Sequence, residues 1–350
     1  MTDLAVQSLL DAVPLPAIAI DGAERISAAN TEARTLLGQG IIERNYVAML
    51  RQPGLLDAVD AVMRQGGKRT AQFFSNDGAN DITYTVSCRR SEEFRVIVLM
   101  FEDVTHLQQA EQMRRDFVAN VSHELRTPLT ALMGFIETLR GPARSDPAAQ
   151  VRFLDIMQAE AERMNRLVGD LLSLSRVEGE ERVRPTETID LRDQLASTLR
   201  SLGPLAQEAG VAIEAELGDM PVAMNGDPDQ LRQVFTNLVE NAIKYGASGQ
   251  RVTIRLSTAG RDPALRAPGA RVQVIDYGPG IDPIHLPRLT ERFYRVDSHR
   301  SRNLGGTGLG LAIVKHIINR HRGRLRVESE LGQGARFTVV LPISEQAVRT

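Results

Sequence analysis

The chain of 350 residues has little cysteine, little net charge and no long apolar run. Its one cysteine, Cys88, excludes an intrachain disulfide and is typical of a reducing compartment. A formal charge of −2 provides no bulk attraction to nucleic acid or to an anionic membrane, so we expect neither partner. A bilayer span needs ~18 to 20 apolar residues, and the longest candidates, such as RVIVLMF at 95–101, have only strand length.

The sequence also shows no signal-peptide pattern and has few lysines. The N-terminus lacks the basic and then apolar layout of a secretory signal peptide. We therefore expect a cytoplasmic protein with no transmembrane segment in this chain, although association with a membrane sensor complex stays possible. Lysine occurs only at Lys68, Lys244 and Lys315, and this bias toward arginine makes any single lysine a weak signal.

The length allows two or three domains, and the first region, residues 1–105, has the pattern of a small α+β domain. A short helix is predicted between Asn30, an N-cap residue, and Gly38, a stop signal. A hairpin is predicted around Asn76-Asp77-Gly78, followed by a buried strand in FRVIVLMFEDV.

Residues 106–178 carry two long amphipathic patterns separated by GPARSDP at 141–147. The predicted core positions of the first helix are Phe117, Val121, Leu125, Pro128, Leu132, Phe135 and Leu139, and those of the second are Leu154, Met157, Ala161, Met164, Val168 and Leu171. A lone helical hairpin buries two such seams poorly, which favours a homodimer with a four-helix bundle. Docking of the hairpin on its own flanking domains is the alternative.

Charged residues 179–187 are the predicted linker to a mixed α/β domain at 188–345. Strands are predicted in RVTIRLS, ARVQVIDYG, LRVES and ARFTVVLP, with helices at 227–245 and 308–320. The chain has no internal repeat and no low-complexity tract.

The first helix places a histidine where its pattern faces water. His123 points about 180° away from the direction between Val121 and Leu125, which argues against a buried structural role. Glu124 adjoins it, Thr127 shares its outward face, and Pro128 disturbs the helix one turn later. A carboxylate can hold the proton of one ring nitrogen and leave the other free to attack. These neighbours favour a nucleophile over an ordinary exposed histidine.

A second group of polar residues lies on the helix at 227–245. Asp227 as N-cap, Pro228 at the first position and Gly246 past the end should delimit this helix. One flank, within about 60°, carries two amides and an ammonium: Asn237, Asn241 and Lys244. Amide oxygens suit a hard cation and the ammonium suits phosphate, although a solvated polar face would look the same.

Two glycine-rich stretches complete the set. In DYGPG, Asp276 can accept a hydrogen bond from a ligand amine, and Gly278 and Gly280 allow close backbone approach. In GGTGLGLAIVKH, a flexible loop runs into a helix, so its N–H groups can hold phosphates. This loop lacks the Gly-Lys-Ser/Thr ending of a P-loop.

In this order the motifs resemble those of the sensor histidine kinases of two-component systems, over about residues 105–343. SHELRTPL resembles the phospho-acceptor box, NLVENAIKY the N box, DYGPG the first glycine box, RLTERFYRVD the F box and GGTGLGLAIVK the second glycine box. GQGARF resembles the closing glycine motif of the same ATPase fold. The sequences of these motifs resemble most closely those of phosphate-regulon sensor kinases. The first region resembles, less specifically, a PAS sensor domain.

The resemblance implies a multidomain α+β protein: a PAS-like α/β sensor domain, a dimeric helical-hairpin four-helix bundle and an α/β-sandwich ATPase domain of the histidine kinase, gyrase and chaperone type. His123 would accept the γ-phosphoryl group of ATP, with Glu124 as base and Thr127 positioning water for dephosphorylation of the partner. The partner would be the receiver domain of a response regulator, and the signal phosphate starvation.

The resemblance also assigns the ATP and Mg²⁺ site. Asn241, assisted by Asn237, would coordinate Mg²⁺, and Asp276 would bind the adenine amino group. The remaining nucleotide contacts would be Lys244, Tyr245, Gly278, Gly280, Phe293, Gly306, Thr307, Gly308, Leu309 and Gly310. Residues from about 282 to 305 would form a mobile lid.

Two other functions remain open from the sequence. An ATP-driven conformational machine of the gyrase or chaperone kind would hydrolyse ATP without a phosphohistidine. A dimeric sensory scaffold would bind ATP only as a structural ligand, so Asn241→Ala would leave its function intact.

Overall fold

The computed structural model describes residues 2–76, 78, 80–296 and 306–343. The chain forms two compact units, Met1–Ala119 and Asn120–Thr350, which are described separately. Asp77 of the predicted turn, Gly305, and the lid positions 297–305 lie outside the described residues. Among the described helices, none combines the length and apolarity needed to cross a membrane.

The first unit is built on a five-stranded antiparallel sheet with the strand order β2-β1-β5-β4-β3. Its strands are β1 (Ala17–Ile20), β2 (Ile26–Ala29), β3 (Lys68–Asn76), β4 (Asp81–Ser91) and β5 (Val96–Asp103). Its helices are α1 (Thr2–Asp11), α2 (Thr31–Leu37), α3 (Tyr46–Leu50) and α4 (Pro53–Gln65). The predicted hairpin corresponds to β3 and β4, whereas α1, α3 and α4 were not predicted.

Asn30 and Cys88 are both fully buried in this unit. Asn30 caps α2 as predicted, since its Oδ1 accepts the N–H of Ala33 at 3.0 Å. The same oxygen accepts the N–H of Ala17 at 2.9 Å, so the cap also holds β1. Burial raises the pKa of the Cys88 thiol to about 11, which makes Cys88 a core residue with little thiolate character.

Two long helices follow: α5 (Thr105–Arg140), which begins in the first unit, and α6 (Pro147–Glu180). Asp146 caps α6, and the break between the helices lies where GPARSDP predicts it. Because α6 extends to Glu180, the first two residues of the predicted linker are helical. Pro128 lies inside α5 and is its buried residue.

Within one chain, the predicted seam of α5 is largely covered and that of α6 is only partly covered. The predicted core positions of α5 are buried or half-buried, and His123 is exposed. On α6, Leu154, Ala161 and Val168 are exposed, and the buried side chains are Leu167, Leu174 and Val177. The buried stripe of α6 is rotated because one face of this helix packs against the α/β part of the same unit.

The α/β part of the second unit has a five-stranded sheet with the order β11-β12-β10-β9-β7, in which only the β7–β9 pair is parallel, and a small antiparallel β6–β8 pair. The strands are β6 (Thr188–Asp190), β7 (Ala212–Glu216), β8 (Ala223–Asn225), β9 (Arg251–Asp262), β10 (Ala267–Asp276), β11 (Arg324–Ser329) and β12 (Ala335–Pro342). The helices are α7 (Leu191–Glu208), α8 (Pro228–Gly246) and α9 (Gly310–Arg320), with 3-10 turns at Ala247–Gly249 and Pro283–Arg288.

Helix α8 forms the centre of this part and packs against α7, α9, β9 and β10. Asp227 caps it and Pro228 is its first residue, as predicted. Its predicted stripe is buried throughout: Leu231, Val234, Phe235, Leu238 and Ala242. Gly246 is its last residue rather than the residue beyond its end, because a 3-10 turn continues the chain directly.

Candidate active site

Asp276 lies at the end of β10 and is nearly buried, with 6 % of its surface exposed. Its Oδ1 accepts the backbone N–H of Gly278 at 3.0 Å and that of Ala335 at 3.3 Å. Burial raises the pKa of this carboxyl above its ordinary value. With Oδ1 occupied by backbone donors, Oδ2 is the oxygen that remains for a ligand amine.

Glycines surround Asp276 because the backbone comes too close for a side chain. A Cβ on Gly246 would lie 2.5 Å from the Cβ of Asp276, and one on Gly334 would lie 2.1 Å from its carbonyl oxygen. Gly280 has a φ of 71°, and a Cβ there would lie 2.0 Å from the carbonyl oxygen of Glu330. The end of α8, the first glycine box and the closing GQGARF motif therefore meet around one carboxylate.

The polar flank of α8 lies beside the start of α9. Asn237 donates from Nδ2 to the carbonyl oxygen of Gly310 at 3.3 Å. Lys244 donates to Glu240 Oε2 at 2.6 Å. Asn241 is half-buried, and its amide has no hydrogen-bond partner within the described ranges. Tyr245, one residue beyond Lys244, is half-buried too. The structure thus keeps the amide of Asn241 available for a ligand.

The second glycine box is a loop that leads into α9. Gly308 has a φ of 75°, and its carbonyl oxygen accepts the N–H of Phe293 at 2.9 Å. The N–H of Leu309 bonds to the hydroxyl oxygen of Thr307 at 3.2 Å. Gly306 and Gly310 are half-buried at the two ends of this loop. The pairing of Phe293 with Gly308 joins the F box to the glycine loop.

His123 is exposed on α5, on the face that the sequence predicts. Thr127, one turn later, donates its hydroxyl to the carbonyl oxygen of His123 at 3.1 Å. Glu124 is 26 % exposed, and its Oε2 accepts from Nη2 of Arg163 at 2.9 Å and from Nη2 of Arg295 at 3.0 Å. The carboxylate beside the histidine is therefore held by α6 and by the F box together.

A second carboxylate of α6 reaches the glycine loop. Oδ2 of Asp170 accepts the hydroxyl of Thr307 at 2.6 Å. Burial raises the pKa of Asp170, an effect that the Thr307 hydrogen bond opposes. Glu124 and Thr307 also line one closed pocket, too small to hold a water molecule, with four other residues: Pro128, Arg163, Met164 and Leu167. The surroundings of His123 and the glycine loop thus face each other within one chain.

Ion pairs near the end of α6 fix the α/β part against this helix. Arg292 pairs with Glu178 at 2.5 Å, and Arg320 pairs with Glu180 at 3.2 Å. His316 lies 2.9 Å from Glu181. Burial raises the pKa of Glu181, but its hydrogen bonds with His316 and Asn319 outweigh that effect and lower it.

A buried histidine connects α9 to the cap of α8. His321 Nε2 accepts the backbone N–H of Asp227 at 3.0 Å, and its Nδ1 bonds to the carbonyl of Ile317 at 2.8 Å. This pattern requires the neutral ring. Burial lowers the pKa of His321 accordingly.

The described residues contain no cluster of three or more His, Cys, Asp or Glu side chains that could hold a metal ion. A magnesium ion that binds with ATP does not need such a cluster, because it takes one or two protein ligands plus phosphate oxygens and water. The unpartnered amide of Asn241 fits that donor set.

Family models match both parts of this site. Residues 113–180 match the His Kinase A (phospho-acceptor) domain. Residues 226–345 match the histidine kinase-, DNA gyrase B-, and HSP90-like ATPase. The chain belongs to the sensor histidine kinases. The second match identifies residues 226–345 as a domain of this ATPase type.

Two curated relatives and one solved structure are similar to this chain. It is 45 % identical to the phosphate regulon sensor protein PhoR of Pseudomonas aeruginosa over 69 % of this chain and 53 % of that protein. It is 32 % identical to the sensor protein kinase WalK of Staphylococcus saprophyticus over 93 % of this chain and 53 % of that protein. The kinase thus spans about half the length of these curated relatives. The Acinetobacter baumannii histidine kinase AdeS is 26 % identical, with a TM-score of 0.49, over 63 % of this chain and 98 % of that one.

Sequence reasoning missed Arg163, Asp170 and Arg295 of the kinase. Each makes its contact across a long stretch of sequence; 171 residues separate Arg295 from Glu124. Arg163 and Asp170 are seven residues apart and so share a face of α6. That spacing was the available signal, although arginine is too abundant in this chain for it to be specific.

Proposed function

We propose that the protein phosphorylates His123 from ATP and passes the phosphoryl group to an aspartate of a response regulator. The observation that carries this proposal is the close approach of Glu124 to the ATPase part, where it pairs with Arg295 at 3.0 Å and borders the same closed pocket as Thr307. It brings the neighbour of an exposed histidine close to a glycine loop of an ATPase domain. Phosphoryl transfer depends mainly on this kind of positioning and on neutralisation of charge.

In the proposed complex, ATP binds between α8 and the glycine loop. Oδ2 of Asp276 accepts the adenine amino group, with Gly278 and Gly280 forming the wall beside it. Lys244 and Tyr245 lie toward the phosphates. Gly306, Thr307, Gly308, Leu309 and Gly310 supply backbone donors there, and Phe293 packs the lid.

Asn241, assisted by Asn237, would hold Mg²⁺, and the ion would neutralise charge on the phosphates. The amide of Asn241, which has no hydrogen-bond partner among the described residues, supports this assignment. The helical spacing of the two residues supports it too, because positions i and i+4 share a face.

In the proposed reaction, the unprotonated ring nitrogen of His123 attacks the γ-phosphorus. The bond from that phosphorus to the bridging oxygen breaks, and ADP leaves with the electron pair. Glu124 takes up the ring proton. Thr127, which already bonds to the backbone of His123, would position water when the same helix removes phosphate from the regulator.

The partners follow from the exposed surfaces and from the relatives. Exposed apolar residues on α5 and α6, among them Leu129, Met133, Leu154 and Val168, support a homodimer with a four-helix bundle. His123 is exposed enough for a receiver domain to reach. Similarity to a phosphate regulon sensor protein supports a role in phosphate-starvation signalling. ATP and receiver domains would be met in the cytoplasm.

The first unit would act as a PAS-like sensor domain. Its five-stranded antiparallel sheet, with helices inserted between β2 and β3, supports this assignment. The burial of Cys88 disfavours a covalent cofactor on that residue.

Incubation with γ-labelled ATP tests the proposed reaction. We expect acid-labile, alkali-stable label on the chain that disappears in His123→Gln and in Asn241→Ala. Label that moves onto a purified receiver domain would extend the test to the second step. ATP hydrolysis without label, unchanged in His123→Gln, would instead indicate a conformational ATPase.

A further inference from the structure

Arg295 follows the F-box phenylalanine Phe293 by two residues and contacts the phospho-acceptor helix through Glu124. Its side chain is 8 % exposed, and its Nη2 donates to Glu124 Oε2 at 3.0 Å. Arg163 of α6, 13 % exposed, donates to the same oxygen at 2.9 Å. One oxygen next to His123 thus receives two charged donors from two parts of the unit.

The burial of Arg295 makes this contact consequential. A guanidinium withdrawn from water is costly unless a carboxylate compensates it. Its Nε is buried and finds no hydrogen-bond partner in the part of the chain that the structure describes. Among the described residues, Glu124 is the carboxylate that compensates this buried charge, so we expect the pair to matter for where Arg295 lies.

The contact also depends on how the α/β part is placed. Arg163 belongs to the same helical hairpin as Glu124, so their pair can persist in any arrangement of the ATPase part. Arg295 belongs to the ATPase part, so its pair with Glu124 exists only while that part lies against the hairpin. In the same arrangement Thr307 of the glycine loop lines the pocket beside Glu124.

We propose that Arg295 is a positioning residue for phosphoryl transfer: it docks the ATPase domain on the acceptor helix by pairing with Glu124 and, with Arg163, fixes that carboxylate beside His123. This inference rests on the proposed function. Arg295 acts through Glu124, and its role is to bring the glycine loop and the acceptor into register. Misplacement of reacting groups by about 1 Å can cost roughly 100-fold in rate.

Kinetics of the full chain test this role. We expect Arg295→Gln to lower the rate of His123 labelling at saturating ATP roughly 10- to 100-fold, with the Kd for ATP changed less than about twofold. Arg295→Lys should restore part of the rate because it keeps the charge. Arg326→Gln is the matched control, since it removes an exposed arginine from β11. An unchanged or raised rate in Arg295→Gln, or a parallel loss of ATP affinity, would contradict the inference.

A second measurement does not depend on activity. Single-molecule energy transfer between dyes in the 141–146 loop and at the 263–266 turn reports the ratio of docked to undocked molecules. We expect Arg295→Gln and Glu124→Gln each to lower that ratio several-fold, and the double variant to lower it no further than the stronger single change. Additive effects would show that the two residues act separately and would overturn the inference.

The two experiments separate failure of the inference from failure of the proposed function. If wild type becomes labelled on His123 and Arg295→Gln is labelled equally fast, the inference alone fails. If wild type shows no label but the energy-transfer cycle shows coupling, the proposed function fails while the docking contact stands.

Discussion

Replacement of Asp276 by asparagine changes one atom of the site and should remove most of the ATP affinity. In the structure Oδ1 already accepts two backbone N–H groups, from Gly278 and Ala335. The asparagine oxygen would keep those bonds, so its NH₂ group would replace Oδ2. A donor would then face the amino group of adenine, where the proposed complex needs an acceptor.

The size of the effect follows from the hydrogen bond that is lost. A hydrogen bond to a charged group contributes about 1.5–3 kcal/mol, and an unsatisfied buried donor costs about 1–3 kcal/mol more. A total of about 3 kcal/mol or more raises the Kd for ATP by roughly 100-fold or more. The same donor suits the carbonyl oxygen of guanine, so the preference for ATP over GTP should shrink as well.

Titration calorimetry with ATP and GTP measures both effects. Asp262→Asn is the matched control, because Asp262 is also buried but pairs with Arg271 at 2.9 Å. This control should lower stability and leave the Kd for ATP unchanged. If Asp276→Asn bound ATP as tightly as wild type while remaining folded, the assignment of Asp276 to adenine would be wrong.

Three further changes have expected outcomes. Asp170→Asn removes a negative charge that bonds to Thr307, so the Kd for ATP by calorimetry should fall about 3- to 10-fold; a higher Kd would contradict this. Burial lowers the pKa of His321, so the unfolded state takes up a proton at this residue first as the pH falls. The free energy of unfolding should therefore decrease below about pH 6.5. Thermal unfolding across pH 5 to 8 should show a weaker dependence of stability on pH in His321→Gln than in wild type. Gly280→Ala meets a backbone carbonyl and should cost at least about 2 kcal/mol by denaturant titration, more than Gly332→Ala, which has a similar φ but open space.

Local signals in the sequence predicted helix ends and the direction of His123 well. Asn30 and Asp227 cap the helices that they were expected to cap. The exposure of His123 was predictable because helical periodicity alone decides which face of α5 it lies on. Such features depend on residues within a few positions of each other, which a single sequence contains.

Features that depend on packing between distant segments were not predictable in the same way. The apolar pattern of α6 allowed several stripes: contact with the α/β part buries Leu167, Leu174 and Val177, which were not predicted, and leaves the predicted Leu154 and Val168 exposed. The pattern of α6 also gave no reason to begin the predicted linker two residues after Gly179, where the helix ends.

In the candidate site, too, the local motifs were predicted and the contacts between distant segments were not. Asp276, Gly278 and Gly280 were predicted as a set, since their motif is short, and the structure adds Gly246 and the closing GQGARF motif around that carboxylate. The arginines at Glu124 were not predicted, because nothing near Arg295 or Arg163 in sequence indicates their partner. The predicted domain boundaries and the roles of the site residues stay predictions.

Mapping the phosphoryl group tests the proposal that His123 is the acceptor. After incubation with ATP and Mg²⁺, digestion at neutral or alkaline pH and tandem mass spectrometry should locate one phosphoryl group on the peptide that contains His123. His123→Gln should lose that modification and still bind ATP. A phosphoryl group on another residue, or hydrolysis of ATP with no modified peptide, would contradict the proposed function.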